Sequence, residues 1–219
     1  MWCVGQLTAE YRRRMYELLE LYARPYRADQ PVICIDEKSK QLLRHSRQPL
    51  PVVAGKPARV DYEYVRVGTC NIFVAVEPRG GHRVAQVTAH RGKLDFIRFA
   101  QHLICDVYRS ARRIHFVVDN LNTHFRKGFI ETLGSTATRQ LLRRVVFHYT
   151  PKHASWLNMA EIEIAALGRQ CLNRRIGDCP TIEREVAAWQ QRRNAERQTI
   201  EWTFTRQLAD QKLGRHYVS

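Results

Sequence analysis

Val32-Ile33-Cys34-Ile35-Asp36 and Ile114-His115-Phe116-Val117-Val118-Asp119 are two short apolar runs that each stop at an aspartate. Such a run, rich in β-branched residues and without polar alternation, reads as a strand buried on both faces, the pattern of central strands in a covered sheet. An acid that closes such a strand stands at its carboxyl end, where open α/β sheets place their ligands. If the two strands are neighbours, Asp36 and Asp119 converge at one edge. A third acid, Glu161, ends Trp156-Leu157-Asn158-Met159-Ala160-Glu161, on a predicted helix that follows the turn Tyr149-Thr150-Pro151-Lys152-His153.

Two hard oxygen ligands side by side bind magnesium or manganese, and without a cation they repel. A pair of such ions can activate a water and stabilise a leaving oxygen in phosphoryl transfer. A single aspartate at a strand end is more often a turn or cap residue; the repeated context is what points to metal. On a helix, residues two apart differ by about 200°, so Glu161 and Glu163 cannot both face one site. Ala165 and Gly168 follow Glu161 on its own face, and small residues there let a helix approach a sheet closely. Glu163 shares its side with Leu167 and Gln170, so the spacing favours Glu161. Glu37, next to Asp36 in a strand, points to the opposite face.

The bulk properties agree with chemistry on a polyanion. The chain has 219 residues, long enough for one substantial α/β domain, and its 36 Lys and Arg outnumber 21 Asp and Glu for a formal charge of +15. That balance favours nucleic acid as partner. Six cysteines show no Cys-x-x-Cys spacing, and Cys34 and Cys70 lie inside apolar runs; they read as buried thiols in a reducing compartment. With no apolar run near the ~20 residues of a membrane span and no signal-peptide core, a soluble cytosolic protein is expected.

Around the acids, the pattern predicts a helix over 7–23 with Thr8 as N-cap, then a linker over 24–31. The first strand spans 32–36. A polar, Pro-rich loop from Ser39 to Tyr62 follows, carrying Lys40, Arg44, His45, Arg47, Lys56 and Arg59. Such a basic loop either holds a phosphate backbone or is a solvated insertion. Residues 64–77 and 82–88 form a hairpin about the Pro78-Arg79-Gly80-Gly81 turn. A helix over 93–108, a strand over 114–118, short helices near 126–134 and 139–142, and a strand over 145–149 come next. A long helix from near Trp156 to about Arg174 follows. Thr181 caps a helix toward Arg197, and a shorter helical segment reaches about Gly214. The order mixes an antiparallel ribbon with βαβ units, an α/β class.

Three blocks make a specific resemblance: Cys34-Ile35-Asp36-Glu37-Lys38; Val118-Asp119-Asn120-Leu121-Asn122-Thr123-His124; and His148-Tyr149-Thr150-Pro151-Lys152-His153-Ala154-Ser155-Trp156-Leu157-Asn158-Met159-Ala160-Glu161-Ile162-Glu163. In this order they resemble the catalytic blocks of DDE transposases, and among them the bacterial insertion sequence 630 family, relatives of the mariner transposases. The resemblance covers roughly residues 20–200. It implies a ribonuclease H-like mixed sheet flanked by helices, with Asp36, Asp119 and Glu161 as catalytic and metal-holding residues. It implies two ions of magnesium or manganese. It also implies hydrolysis at transposon ends, transfer of the freed 3′ hydroxyl into TA-containing target DNA, and a homodimer. Lys38, Asn120, Asn122, His124, Lys152, His153 and Trp156 are the candidate DNA contacts.

The resemblance divides the chain into an N-terminal helix and linker (1–30), a catalytic domain (31–200) and a helical tail (201–219). Family members carry helix-turn-helix domains ahead of the catalytic domain, whereas one helix and a linker precede Asp36 here. A catalytic domain without its end-recognition module is therefore expected. The alternatives are a non-catalytic DNA-binding or dimerising regulator of transposition and a ribonuclease H-like nuclease acting on RNA or junctions.

Overall fold

The computed structural model describes residues 7–48, 50, 53–56, 61–119 and 126–218. Its centre is a five-stranded mixed sheet of β1 (Val32–His45), β2 (Tyr64–Glu77), β3 (His82–Thr88), β4 (Ile114–Val118) and β5 (Val145–Tyr149), in the order β3-β2-β1-β4-β5. β1, β2 and β3 are an antiparallel meander, whereas β1, β4 and β5 run parallel. All five residues of β4 are buried, as its unbroken apolar run requires.

Helices cover both faces, which a parallel sheet core demands. On one face, Ile33, Ile35, Phe73, Phe116 and Val118 pack with α2 (Lys93–His102) and with Phe129 of α3 (Arg126–Leu133). α2 continues as a wider turn over Leu103–Val107, and α4 (Ser135–Leu141) leads into β5. The other face is shared. Cys34, Val76 and Val117 lie under α1 (Ala9–Ala23), while Cys70, Ile72 and Val74 lie under α5 (Ala160–Leu167) and α6 (Cys179–Ala195). Each large side chain so buried is worth about 1.5–3 kcal/mol. Asp36 falls on the shared face between Cys34 and Lys38, where the two clusters meet.

α1 begins as expected, with Thr8 accepting from the Tyr11 N–H at 3.1 Å. It packs in one cluster with Trp202, Phe204 and Leu213 from the segment around α7 (Arg206–Leu213). The open edge of β3 is closed by α6. Asn194 accepts from the Arg83 N–H at 2.8 Å and donates to its carbonyl at 2.9 Å, and Gln190 accepts from the Ala85 N–H at 2.6 Å. Two amide side chains thus stand in for a neighbouring strand and blunt the edge.

Several expectations need correction. The loop expected from Ser39 is strand over its first seven residues: β1 runs on to His45, paired with β2 back to Tyr64 across an irregularity at Leu42/Leu43. Its polar character reflects exposure beyond the end of β3, not lack of hydrogen bonding. Lys40 reaches back to the carbonyls of Leu172 and Arg174 at 2.7 and 3.0 Å, and Arg47 pairs with Asp61 at 3.5 Å. Pro49, Pro51, Pro57 and Arg59 lie outside the described residues. The helix expected from Trp156 starts at Ala160, after a single turn at Ser155–Leu157. Asp178, not Thr181, caps α6, accepting from the Thr181 N–H at 2.8 Å. Cys34, Cys70 and Cys171 are buried, but Cys105 is exposed.

The β2–β3 turn depends on two glycines. A Cβ on Gly80 would lie 2.4 Å from the Glu77 carboxyl carbon, and one on Gly81, at φ +67°, would lie 2.7 Å from the Arg197 carbonyl oxygen. Gly81→Ala combines a left-handed backbone with a clash against main chain. It should lower unfolding free energy by about 1–3 kcal/mol, read from the urea midpoint, without changing the denaturant slope.

Candidate active site

The parallel register pairs Cys34 with Val117, so two further residues bring Asp36 alongside Asp119. Cys34 and Val117 share a packing cluster on one face, and strand alternation returns Asp36 and Asp119 to that face. Asp36 is 8% exposed, and its Oδ1 accepts from the Glu37 N–H at 2.8 Å. Burial, first of all, and the charges of Glu161, Asp119 and Glu37 push its carboxyl up to about 7, against the pull of that hydrogen bond. The three acids thus lie in one electrostatic neighbourhood.

Glu161 is brought there by its helix. Asn158 is fully buried. Its Nδ2 donates to the Ile35 carbonyl at 2.9 Å, while its Oδ1 accepts from the Ala160 N–H at 3.2 Å and its carbonyl from the Glu161 N–H at 3.1 Å. One side chain thereby ties the first turn of α5 to the peptide group just before Asp36. The Tyr22 hydroxyl donates to the Leu157 carbonyl at 2.8 Å, and the Thr150 N–H donates to the Val118 carbonyl at 3.0 Å. The small residues expected to bring this helix close do not do so: Ala165 is exposed, and a Cβ on Gly168 would stand at an ordinary contact distance of 4.0 Å from Lys38 Cε.

Glu163 is used differently. It is fully buried, and Arg83 Nε and Nη2 each donate to it at 3.0 Å, with Arg193 as a further donor. Burial pushes its carboxyl up, yet the hydrogen bonds and charges of the two arginines outweigh this and hold it below the usual range. Glu161, by contrast, is exposed. Glu37 sits one step along β1 from Asp36, on the other side of the pleat.

Of the candidate DNA contacts, Lys38 is half-buried two residues beyond Asp36 on its face. Lys152, His153 and Trp156 are exposed on the segment between β5 and α5, with His153 at φ 60°. Trp156 stacks on Trp202 at 6.4 Å and meets Phe204 edge-on at 5.3 Å. Asn120, Asn122 and His124 lie outside the described residues. Among the described residues, no three His, Cys, Asp or Glu side chains already stand in chelating positions. The donor chemistry nonetheless fits a hard divalent cation: carboxylate oxygens, and a buried Asp36 that retains its proton toward neutrality for want of a compensating charge.

Asn158, Arg83 and Arg193 were not singled out in the sequence. The one available signal was a charged residue beside Val84 in a half-buried strand. Arg83 proves to be fully buried.

This mixed sheet, with two acids at neighbouring strand ends and a third on a covering helix, defines a ribonuclease H-like α/β domain. Residues 31–183 match the DDE superfamily endonuclease model, and the chain belongs to that family. The fold is that of the mariner Mos1 transposase. The Mos1 paired-end complex with Mg superposes with TM-score 0.61 at 16% identity, over 100% of this chain and 66% of that one. The paired-end complex with Mn gives 0.56 at 16% identity, over 90% and 60%. The Mos1 catalytic domain alone gives 0.52 at 13% identity, over 90% and 94%. The chain therefore spans about 60% of the longer Mos1 chains. No curated protein matches it. Among the described residues no helix is long and apolar enough to cross a membrane.

Two stability measurements follow. Asp36 holds in the fold a proton that the unfolded chain releases near 3.8. Its contribution is present at low pH and lost as pH rises through about 7. His115, pushed down to about 4 by burial, acts with the opposite sign below its unfolded value, so the wild-type profile alone mixes the two. The difference between wild type and Asp36→Asn isolates the aspartate. Without metal, the variant should gain stability relative to wild type from pH 4 to 8, by on the order of 1–4 kcal/mol, in urea titrations. Separately, Glu163→Ala leaves Arg83 buried without its carboxylate and should cost about 3–5 kcal/mol by the same measurement.

Proposed function

We propose that this chain is the catalytic domain of a DNA transposase, with Asp36, Asp119 and Glu161 as the acids that hold its metal ions. The observation that carries this reading is the convergence of Asp36 and Asp119 on neighbouring parallel strands, within electrostatic reach of Glu161, in a chain of the DDE endonuclease family. Engagement of Glu163 by two arginines supports Glu161 as the third acid. The reaction is cleavage at transposon ends and joining of the freed 3′ hydroxyl to TA-containing target DNA, carried out by a homodimer. The narrower kinship is with the insertion sequence 630 group, and end recognition belongs to a separate helix-turn-helix module. The catalytic unit comprises 31–200, with the N-terminal helix and the tail packed on it.

Magnesium or manganese bound by the three carboxylates would neutralise phosphoryl charge and sharpen a water or a 3′ hydroxyl as nucleophile. The chain's own residues prepare that site. Burial of Asp36 keeps competing water away. Asn158 fixes the distance between α5 and β1, and Lys38 offers a cation beside the acids for the DNA backbone. Lys152, His153 and Trp156 form an exposed flank over which DNA can lie, and Asn120, Asn122 and His124 are proposed as further DNA contacts from the sequence resemblance alone. Solved Mos1 complexes prepared with Mg and with Mn support divalent ions of this kind for the fold.

Purified protein incubated with supercoiled plasmid and magnesium or manganese should nick it. Asp36→Asn, Asp119→Ala or Glu161→Gln should each slow nicking by about 10²–10³-fold, the scale of losing several kcal/mol of charge stabilisation. Nicking that survives all three changes would sink the triad. Salt-sensitive binding without nicking would favour the regulatory reading. Binding itself should weaken by about 10³–10⁵ between 50 and 200 mM salt if 6–10 phosphates are contacted; a flat response would exclude a backbone-driven mode.

A further inference from the structure

On the α1 side of the sheet, at the opposite end of β1 and β4 from the acids, lies a cavity of about 360 Å³. That is within the range of small-molecule sites, about 300–1,000 Å³. Val32 and His115 line it from the strands, Tyr22 and Trp202 supply aromatic wall, and Glu77 closes one side.

The polar groups have a defined sense. Glu17 carboxylate oxygen accepts, so His148 Nδ1, 2.8 Å away, carries the proton. A neutral imidazole has one donor and one acceptor; His148 Nε2 therefore accepts from His115 Nδ1 at 2.9 Å. His115 Nε2 is left as an acceptor on a ring that lines the cavity and is 5% exposed. Burial, chiefly, keeps both rings neutral, pushing His148 down and His115 to about 4. Glu77 is a second buried acceptor, held by Tyr26 and Tyr108. At the rim, Arg27 is paired with Asp29 at 3.2 Å, whereas Arg24 and Arg79 are exposed and, among the described residues, have no carboxylate partner. The cavity thus asks for a flat ring with apolar faces, N–H donors on its inner edge and an anion at its mouth.

We infer that this cavity binds a nucleotide whose base carries an exocyclic amine, the amine directed to His115 Nε2 and Glu77 and the phosphate to Arg24 and Arg79. A free mononucleotide and an unpaired nucleotide of a DNA strand share this chemistry. The site is separate from the carboxylates and does not depend on the transposase reading. Met159 lines the cavity and adjoins Asn158, so an occupant touches the segment that sets Glu161.

The test is calorimetric titration of the full chain with AMP and with inosine monophosphate, which has a carbonyl in place of the amine. AMP should bind and inosine monophosphate should bind at least about tenfold more weakly, because its 6-carbonyl sets an acceptor against the acceptors His115 Nε2 and Glu77 and its single N1–H cannot satisfy both. Arg24→Glu should weaken AMP at least about tenfold. His115→Phe should erase the preference between the two nucleotides. If that variant fails to fold, Arg24→Glu, at an exposed position, carries the test alone. Asp119→Ala, which disables the proposed catalytic acids, should leave AMP binding unchanged. No AMP binding at millimolar concentration, equal affinity for the two nucleotides, or indifference to Arg24→Glu would overturn the site. With the site established, displacement of AMP by a single-stranded oligonucleotide bearing adenine identifies DNA as the source, and joint binding identifies the free nucleotide.

Discussion

The hydrogen bond from Asn158 Nδ2 to the Ile35 carbonyl is the constraint on which the site depends. Ile35 lies one residue past the last β1–β4 pair, where the parallel ladder has ended. A buried carbonyl left unpaired there would cost about 1–3 kcal/mol. Asn158 meets it and at the same time holds the N–H of Ala160. A helix start and a strand end are thereby locked together within one side chain of Asp36. Replacement by leucine would preserve volume and lose both functions.

Two buried acids in this chain are treated in opposite ways. Glu163 is given two guanidinium groups and remains ionised, a cross-link among β3, α5 and α6. Such a network adds little net stability over apolar packing but is costly to break. Asp36 is given one backbone N–H and three acidic neighbours, and retains a proton toward neutrality. An acid left uncompensated in a well-packed interior is held at a cost to stability, and binding a cation would recover that cost.

The histidines of β4 and β5 illustrate a third arrangement. His115 and His148 stack at 5.2 Å in strands whose other residues are apolar. Neighbouring parallel strands place them in contact, and Glu17 from α1 sets their proton order. In the sequence the pair is invisible, because 33 positions separate the two residues.

The apolar runs ending at Asp36 and Asp119 were enough to read a covered parallel sheet, and the helical angle was enough to put Glu161 and Glu163 on different faces, although Ala165, on the face of Glu161, is exposed and does not bring the helix onto the sheet. Those features are local: strand alternation and helical angle are properties of consecutive residues. The extension of β1 to His45 was not legible, because a polar strand in an exposed ribbon is defined by its partner β2 and not by its own pattern. Nor were the roles of Asn158, Arg83 and Arg193, since a buried amide or guanidinium earns its place only through groups far away in the chain. The sequence by itself determined which acids end which elements. Only the tertiary structure decided which of them share a neighbourhood and which are neutralised, because burial and pairing are long-range quantities set by the packing of whole elements.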